Sequence, residues 1–239
     1  MTDSEITVDV PFSVRDRAVW FPAIETLVIA DVHLGKAAAS SVDAPIDDGT
    51  DVVERLRGHL EETEPNEVVV AGDLLHSFSR LPLGVERDVS RFADAVDAAG
   101  AELVVTPGNH DTMLESAFDG ETTAEYRLAD GETVICHGHE RPESTGERYV
   151  VGHDHPALSV DGRKRPCVLY GPEAYEGAAV LVLPAFTRLA AGATVNGMRD
   201  RDFQTPLVRN PDEFHPAVRD DSSGETLWFP QLGELRRLL

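Results

Sequence analysis

Basic residues are scarce: 21 Lys and Arg stand against 43 Asp and Glu, a formal net charge of −22, and Lys36 and Lys164 are the only lysines. Such a chain repels itself when compact. The repulsion weakens where salt shortens the Debye length to about 3 Å at 1 M, so the balance is read as halophilic, an adaptation to a salt-rich cytoplasm. It says little about partners, because screening leaves local contacts to decide whether a polyanion binds. Cysteine is nearly absent. Cys136 and Cys167 form no C-x-x-C pair and each sits in an apolar run, so buried thiols in a reducing compartment are expected. No run approaches the roughly 20 apolar residues that span a bilayer, and the first ten residues carry acids where a secretory signal carries a basic patch. A cytoplasmic protein with no membrane partner is the expectation. With no internal repeat or low-complexity linker, residues 1–239 are read as one domain.

Short β-branched runs alternate with amphipathic stretches through the first half. Residues 26–30 (TLVIA), 67–71 (EVVVA) and 103–106 predict buried strands. Between them, residues 47–62 place Val52, Val53, Leu56 and Leu60 on one helical stripe, with Asp47 or Asp48 as cap, and residues 84–99 do the same through Val85, Val89, Phe92 and Val96. Gly100 ends the second helix. This β-α-β-α-β order predicts parallel strands with right-handed crossovers. Strand-like runs then follow one another at 124–128, 133–136, 148–151, 167–170 and 178–183, which predicts a mostly antiparallel second sheet packed on the first. The tail from 185 carries no clear pattern beyond a last helical turn at 235–239. The expected class is α/β, a four-layer α-β-β-α sandwich of two mixed sheets.

The chemistry follows the buried runs. The first ends in Asp31-Val32-His33-Leu34-Gly35, the second in Gly72-Asp73-Leu74-Leu75-His76 and the third in Gly108-Asn109-His110-Asp111. The carboxyl ends of strands in an open α/β sheet share one edge, where ligands bind. The second half adds His137-Gly138-His139 and Gly152-His153-Asp154-His155, each directly after a strand, and alternation puts His153 and His155 on one side. Carboxylates, imidazoles and an amide without thiolates suit Mn, Fe, Zn or similar divalent ions, and the donors exceed what one ion uses. Gly72, Gly108 and Gly152 let the backbone approach metal or phosphate without a Cβ in the way. His137 lies nearer its strand than His139, though either can serve as the ligand.

In this order, D-x-H, G-D, G-N-H-D, a strand-end His and G-H-x-H resemble the signature of calcineurin-like metallophosphoesterases, over roughly residues 26–155. Within them, ADVHLG and GDLLH look like the SbcD-type nuclease branch. The length of the chain and the segment LPAFTRLAAGATVN (183–196) look more like small archaeal SbcD-related, ICC-like phosphoesterases, with the bacterial ligase-associated phosphoesterase as a relative. The resemblance implies one metal on Asp31, His33 and His155, a second on Asn109, His137 and His153, and Asp73 bridging. It implies His110 beside the scissile phosphate with Asp111 orienting its ring, and His76 as a second phosphate-side histidine. The ions would be Mn²⁺ first, with Fe, Zn or Ni as alternatives. Their +4, set against two carboxylates and a hydroxide, leaves +1 to receive a phosphate ester, and attack would be in line by a metal-bridging hydroxide. The substrate implied is a phosphodiester in nucleic acid or a nucleotide, with DNA repair as one setting. The alternatives are a phosphomonoesterase and a catalytically silent metal-binding scaffold.

Other polar residues have plainer readings. His59 reads as a surface residue of its helix, and Asp154 points away from the ligands on either side of it. The basic cluster Arg163-Lys164-Arg165 reads as a solvated hairpin turn, with a grip on a nucleic-acid backbone as the alternative, and Arg87 and Arg91 as an ordinary helix face or, with Arg80 before them, the lining of a phosphate path. His215 and the tail arginines Arg188, Arg199 and Arg201 have no motif around them.

Overall fold

The computed structural model of the chain describes residues 8–39, 48–76, 81–220 and 223–238; Asp47 and Arg80 lie outside these. The chain opens on a hairpin that the sequence pattern did not disclose, β1 (Ser13–Arg15) and β2 (Ala18–Phe21), followed by β3 (Thr26–Ile29). The crossovers come next: α1 (Lys36–Ala39), α2 (Asp48–Thr63), β4 (Glu67–Ala71), α3 (Val85–Ala98), β5 (Glu102–Thr106) and the short β6 (Glu121–Thr122). These strands form one sheet in the order β1-β2-β3-β4-β5-β6, parallel from β3 onward as the β-α-β-α-β pattern predicts. Gly100 ends α3 with φ +78°.

The second half runs through β7 (Tyr126–Arg127), β8 (Thr133–Ile135), β9 (Arg148–Val151), β10 (Pro156–Val160), β11 (Arg163–Pro166), β12 (Val168–Tyr175), β13 (Ala178–Val182), β14 (Ala193–Thr194), β15 (His215–Asp220), β16 (Glu225–Trp228) and α4 (Leu232–Leu238). Seven of these strands make a sheet in the order β16-β15-β12-β13-β9-β8-β7. It is more mixed than expected, since β8, β9 and β13 pair in parallel at its centre. Parallel pairing needs crossovers. The stretches between β8 and β9 and between β9 and β13 supply them without helices, leaving no helical periodicity to read. The small sheet β11-β10-β14 carries the basic cluster on a hairpin turned at Asp161-Gly162, where φ is +49° and +71° as a two-residue I′ turn requires.

Period-2 alternation sorts side chains into three cores. Leu27, Ile29, Val68, Val70 and Val105 face α2 and α3, where Val53, Leu56, Phe92 and Val96 are fully buried. Val28, Ala30, Val69 and Val104 turn the other way and meet Ile135, Val150 and Leu181 between the two sheets. The outer face of the second sheet, with Val134, Tyr149, Val151 and Val180, is covered by Leu158, Phe203, Phe214 and Leu232. That outer layer is one short helix, 3₁₀ turns and the small sheet, rather than a row of helices. Cys136 and Cys167 are buried free thiols, and burial pushes Cys136 up to about 12.

His59 is not a surface residue. It is 5% exposed, its Nε2 lies 2.8 Å from the Asp16 carbonyl and its ring packs on Phe186. The β1–β2 turn and the 184–187 segment both fold over that flank of α2, a long-range event that the helix's own periodicity does not contain. No helix among the described residues is long and apolar enough to cross a membrane. Phe92→Ala should cost about 3–5 kcal/mol, because it empties the α3–sheet contact. Urea denaturation measures this, and a loss below about 1 kcal/mol would contradict the packing.

Candidate metal centre

The predicted ligands arrive from five strand ends. Asp31 and His33 follow β3, Asp73 follows β4, Asn109 follows β5, His137 follows β8, and His153 and His155 follow β9. The loops are stitched together by main-chain bonds: Asp31 N–H donates to Gly72 O (3.0 Å), His33 N–H to Asp73 O (2.8 Å) and Gly152 N–H to His137 O (3.0 Å). Asp31, His33, Asp73, His153 and His155 all have positive φ, 54°, 53°, 50°, 69° and 47°. Side chains rarely adopt this left-handed region, and each such residue costs on the order of 1–3 kcal/mol that the surroundings must offset. The offset is visible in the buried carboxylate of Asp111, which accepts the N–H groups of Leu74 (3.2 Å), Leu75 (2.7 Å) and Gly108 (2.9 Å). Gly72, at φ +82°, lies under the His137 ring, where a Cβ would overlap Nδ1. Gly108 faces Asp73 so closely that a Cβ would overlap Oδ1. Both glycines are there for close approach, as expected.

The donor atoms converge in two groups. In one, His33 Nε2 and His155 Nε2 are 3.3 Å apart and His155 Nε2 is 3.3 Å from Asp31 Oδ1. In the other, His137 Nε2 lies 3.0 Å from Asn109 Oδ1, 3.1 Å from His153 Nδ1 and 3.6 Å from Asp73 Oδ2. Metal–nitrogen bonds of about 2.1 Å at angles between 90° and tetrahedral set ligand atoms about 3.0–3.4 Å apart, so these separations fit the edges of coordination shells. Asp31, His33 and His155 make one compact donor triad, and Asp31, Asp73 and His137 make another. Asp31 Oδ1 is buried with no hydrogen-bond partner among the described residues, which fits a site built around cations. The residues present therefore fit divalent ions.

The electrostatics point the same way. Asp31 accepts the His153 N–H (2.9 Å) and remains the carboxylate. Burial, with the Asp31 charge beside it, pushes Asp73 up to about 8. Burial holds His33 and His137 neutral, down at about 3 and about 4, and lowers His153 as well. Neutral imidazole is the ligand form.

His76 and His110 stack at the mouth, 4.9 Å between ring centroids, and both rings sit against His33. Burial and the Lys36 charge bring His76 down to about 4 and also lower His110. The free cleft therefore holds neutral rings here. The cleft is about 370 Å³, lined by Lys36, Asp73, Asn109, His110 and His153 on one side and by residues 189–193 on the other.

Asp111 differs from its expected role: its oxygens are taken up by loop N–H groups, so it braces the two loops that carry Asp73 and Asn109. Asp154 does point away from the ligands, and it accepts Gln204 N–H (2.7 Å) and Thr205 N–H (3.1 Å), tying the tail to the G-H-x-H turn. His139 stays exposed at the rim, its ring 5.1 Å from His137, and is outside both donor groups. Sequence reasoning missed Lys36 as a site residue; its signal was its position three residues after His33 in a chain with almost no lysine. The 189–193 wall was also missed. It is held by Ala193 N–H on the His155 carbonyl (2.8 Å), a contact without sequence signature.

The Asp73 shift has a signed consequence. In the metal-free fold Asp73 keeps its proton to about 8, while in the unfolded chain it ionises near 3.9. Its contribution is full below about pH 4 and is lost as pH rises to about 8. His33 and His137 have the opposite sign, contributing above about pH 6.5 and losing it as pH falls toward their folded values. Metal-free Asp73→Asn should therefore gain stability relative to the parent progressively between pH 5 and 8 (denaturant midpoints across about these values read it). A pH-independent difference would contradict the shift.

The calcineurin-like phosphoesterase family profile matches residues 24–171. Among solved structures the chain is similar to the nuclease MPE of Pseudomonas putida, with 21% identity, 90% of this chain and 92% of that chain covered, and a TM-score of 0.64. At this identity the likeness shows the fold. Yfce, a phosphoesterase from E. coli, aligns at 13% identity over 86% of this chain and 98% of its own, with a TM-score of 0.45. No curated protein matches the chain. The profile runs through every strand end that delivers a donor, and the chain belongs to the calcineurin-like phosphoesterase family, as a metal-dependent phosphoester hydrolase.

Proposed function

We propose that the chain is a dinuclear phosphodiesterase of the SbcD-related, ICC-like branch, acting on nucleic acid or nucleotides with Mn²⁺ as the first choice of metal. The observation that carries this reading is the convergence of seven donors in two groups, with two buried carboxylates between them. Asp31, His33 and His155 would hold one ion and Asn109, His137 and His153 the other, with Asp73 shared. Bound there, two divalent ions supply charge neutralisation and an acidified water as nucleophile.

The chain's own residues do the rest. Lys36 sets a fixed positive charge in the cleft for the non-bridging phosphate oxygens. His110, neutral in the free cleft, offers an N–H to the phosphate. The arriving anion favours its protonated form, from which it can protonate the leaving alkoxide. General acid help of this kind is worth about 10²–10⁴ in rate. Lys36 is the one Lys or Arg lining the cleft among the described residues. A diester carries a single negative charge and a monoester nearly two, so this cleft favours the diester. A silent scaffold is disfavoured because every donor position and His110 hold competent residues.

With Mn²⁺ added, bis-p-nitrophenyl phosphate should turn over faster than p-nitrophenyl phosphate, and the reverse order would favour the monoesterase. His110→Gln should lower kcat by about 10²–10⁴ while metal content is unchanged. Turnover close to the parent's would remove His110 from the chemistry.

A further inference from the structure

Beside the metal cleft, and sharing His155 and residues 190–192 with it, lies a smaller pocket of about 240 Å³. Three cations line it: Arg17 from the β1–β2 turn, Lys164 from β11 and Arg188 from the 184–193 segment. This convergence is unexpected in a chain with 43 acids and 21 bases. Arg188 is paired with Asp51 (2.9 Å). The other two point their donors at main-chain carbonyls: Arg17 Nη1 at Ala185 O (2.7 Å) and Thr187 O (3.3 Å), and Lys164 Nζ at Gly192 O (2.5 Å). Neither has a carboxylate within 4 Å among the described residues. Carbonyls satisfy N–H groups without forming an ion pair with either cation, and a guanidinium and an ammonium retain further donors. Burial first, and then the neighbouring guanidinium groups of Arg55 and Arg188, lower the Arg17 pKa against the opposing charges of Asp16 and Asp51.

We propose that this pocket binds a phosphate group. Resting on the phosphodiesterase reading, that group is the substrate phosphate next to the scissile one, so the natural substrate carries at least two phosphates. The pocket is too small for a nucleoside by the usual 300–1,000 Å³ scale of organic ligand sites, and a tetrahedral oxyanion suits its donors. His155 is a wall of both cavities, which places the second anion beside the first. The basic cluster thus divides by face: Lys164 and Pro166 line the pocket, while Arg165 alternates to the opposite side of β11.

That alternation supplies the control. Inorganic phosphate is titrated into metal-free protein by calorimetry, at one ionic strength that keeps the chain folded. Lys164→Gln should weaken binding about tenfold or more, while Arg165→Gln, with the same charge change, should stay within about twofold. Equal weakening by both variants, or no saturable binding by the parent, would overturn the pocket. With Mn²⁺ added, a 5′-phosphorylated dinucleotide should show a lower KM than its 5′-hydroxyl form, and Lys164→Gln should erase that difference. Hydrolysis without the preference would overturn the substrate assignment alone. Phosphate binding that follows Lys164 in a protein that cleaves no ester would uphold the pocket and sink the phosphodiesterase reading instead.

Discussion

Asp31 and Asp73 are at most 1% exposed and stand on either side of the His137 ring, 3.7 Å from Nδ1 and 3.6 Å from Nε2. Burial and the Asp31 charge push Asp73 up to about 8, so in the metal-free fold it keeps a proton at neutral pH. The His33 and His137 imidazoles beside them are neutral and offer lone pairs rather than charge. On the dinuclear reading proposed above, a pair of divalent ions would let both carboxylates ionise and would leave a net positive seat for a phosphate ester. In that proposal, holding cations and receiving a phosphate ester have the same electrostatic origin.

Much of the remaining structure holds those groups in place. Left-handed backbone at five of the donor residues is unfavourable locally and persists because strands buried on both faces fix each loop's ends. Asp111 grips the Asp73 and Asn109 loops together, and Asp154 anchors the tail to the loop carrying His153 and His155. The 184–193 segment is tied at Ala30 through Phe186 N–H (2.7 Å) and at His155 through Ala193 N–H, and closes one side of the cleft. The two sheets and the tail thus contribute separate walls to one site.

Legibility in the sequence followed how local each signal was. The buried strands of the first sheet and the stripes of α2 and α3 rest on patterns within 4 to 16 residues, and they appear where the pattern puts them. The candidate donors each lie within a few residues of a strand's carboxyl end, so topology alone brings them to one edge. What was hidden is long-range. The parallel centre of the second sheet, the burial of His59 under Phe186, the brace role of Asp111 and the wall at 189–193 depend on contacts between segments with no shared motif. Lys36 and Lys164 were visible as the only lysines, yet composition does not say that each faces a cavity beside the same histidine, His155.

Equilibrium titration of metal-free protein with Mn²⁺, followed by calorimetry and by elemental analysis after desalting, addresses the paired-cation account most directly. The account predicts two ions per chain, with proton release on binding as Asp73 gives up its proton near neutral pH. One ion per chain, or binding without proton release, would contradict it.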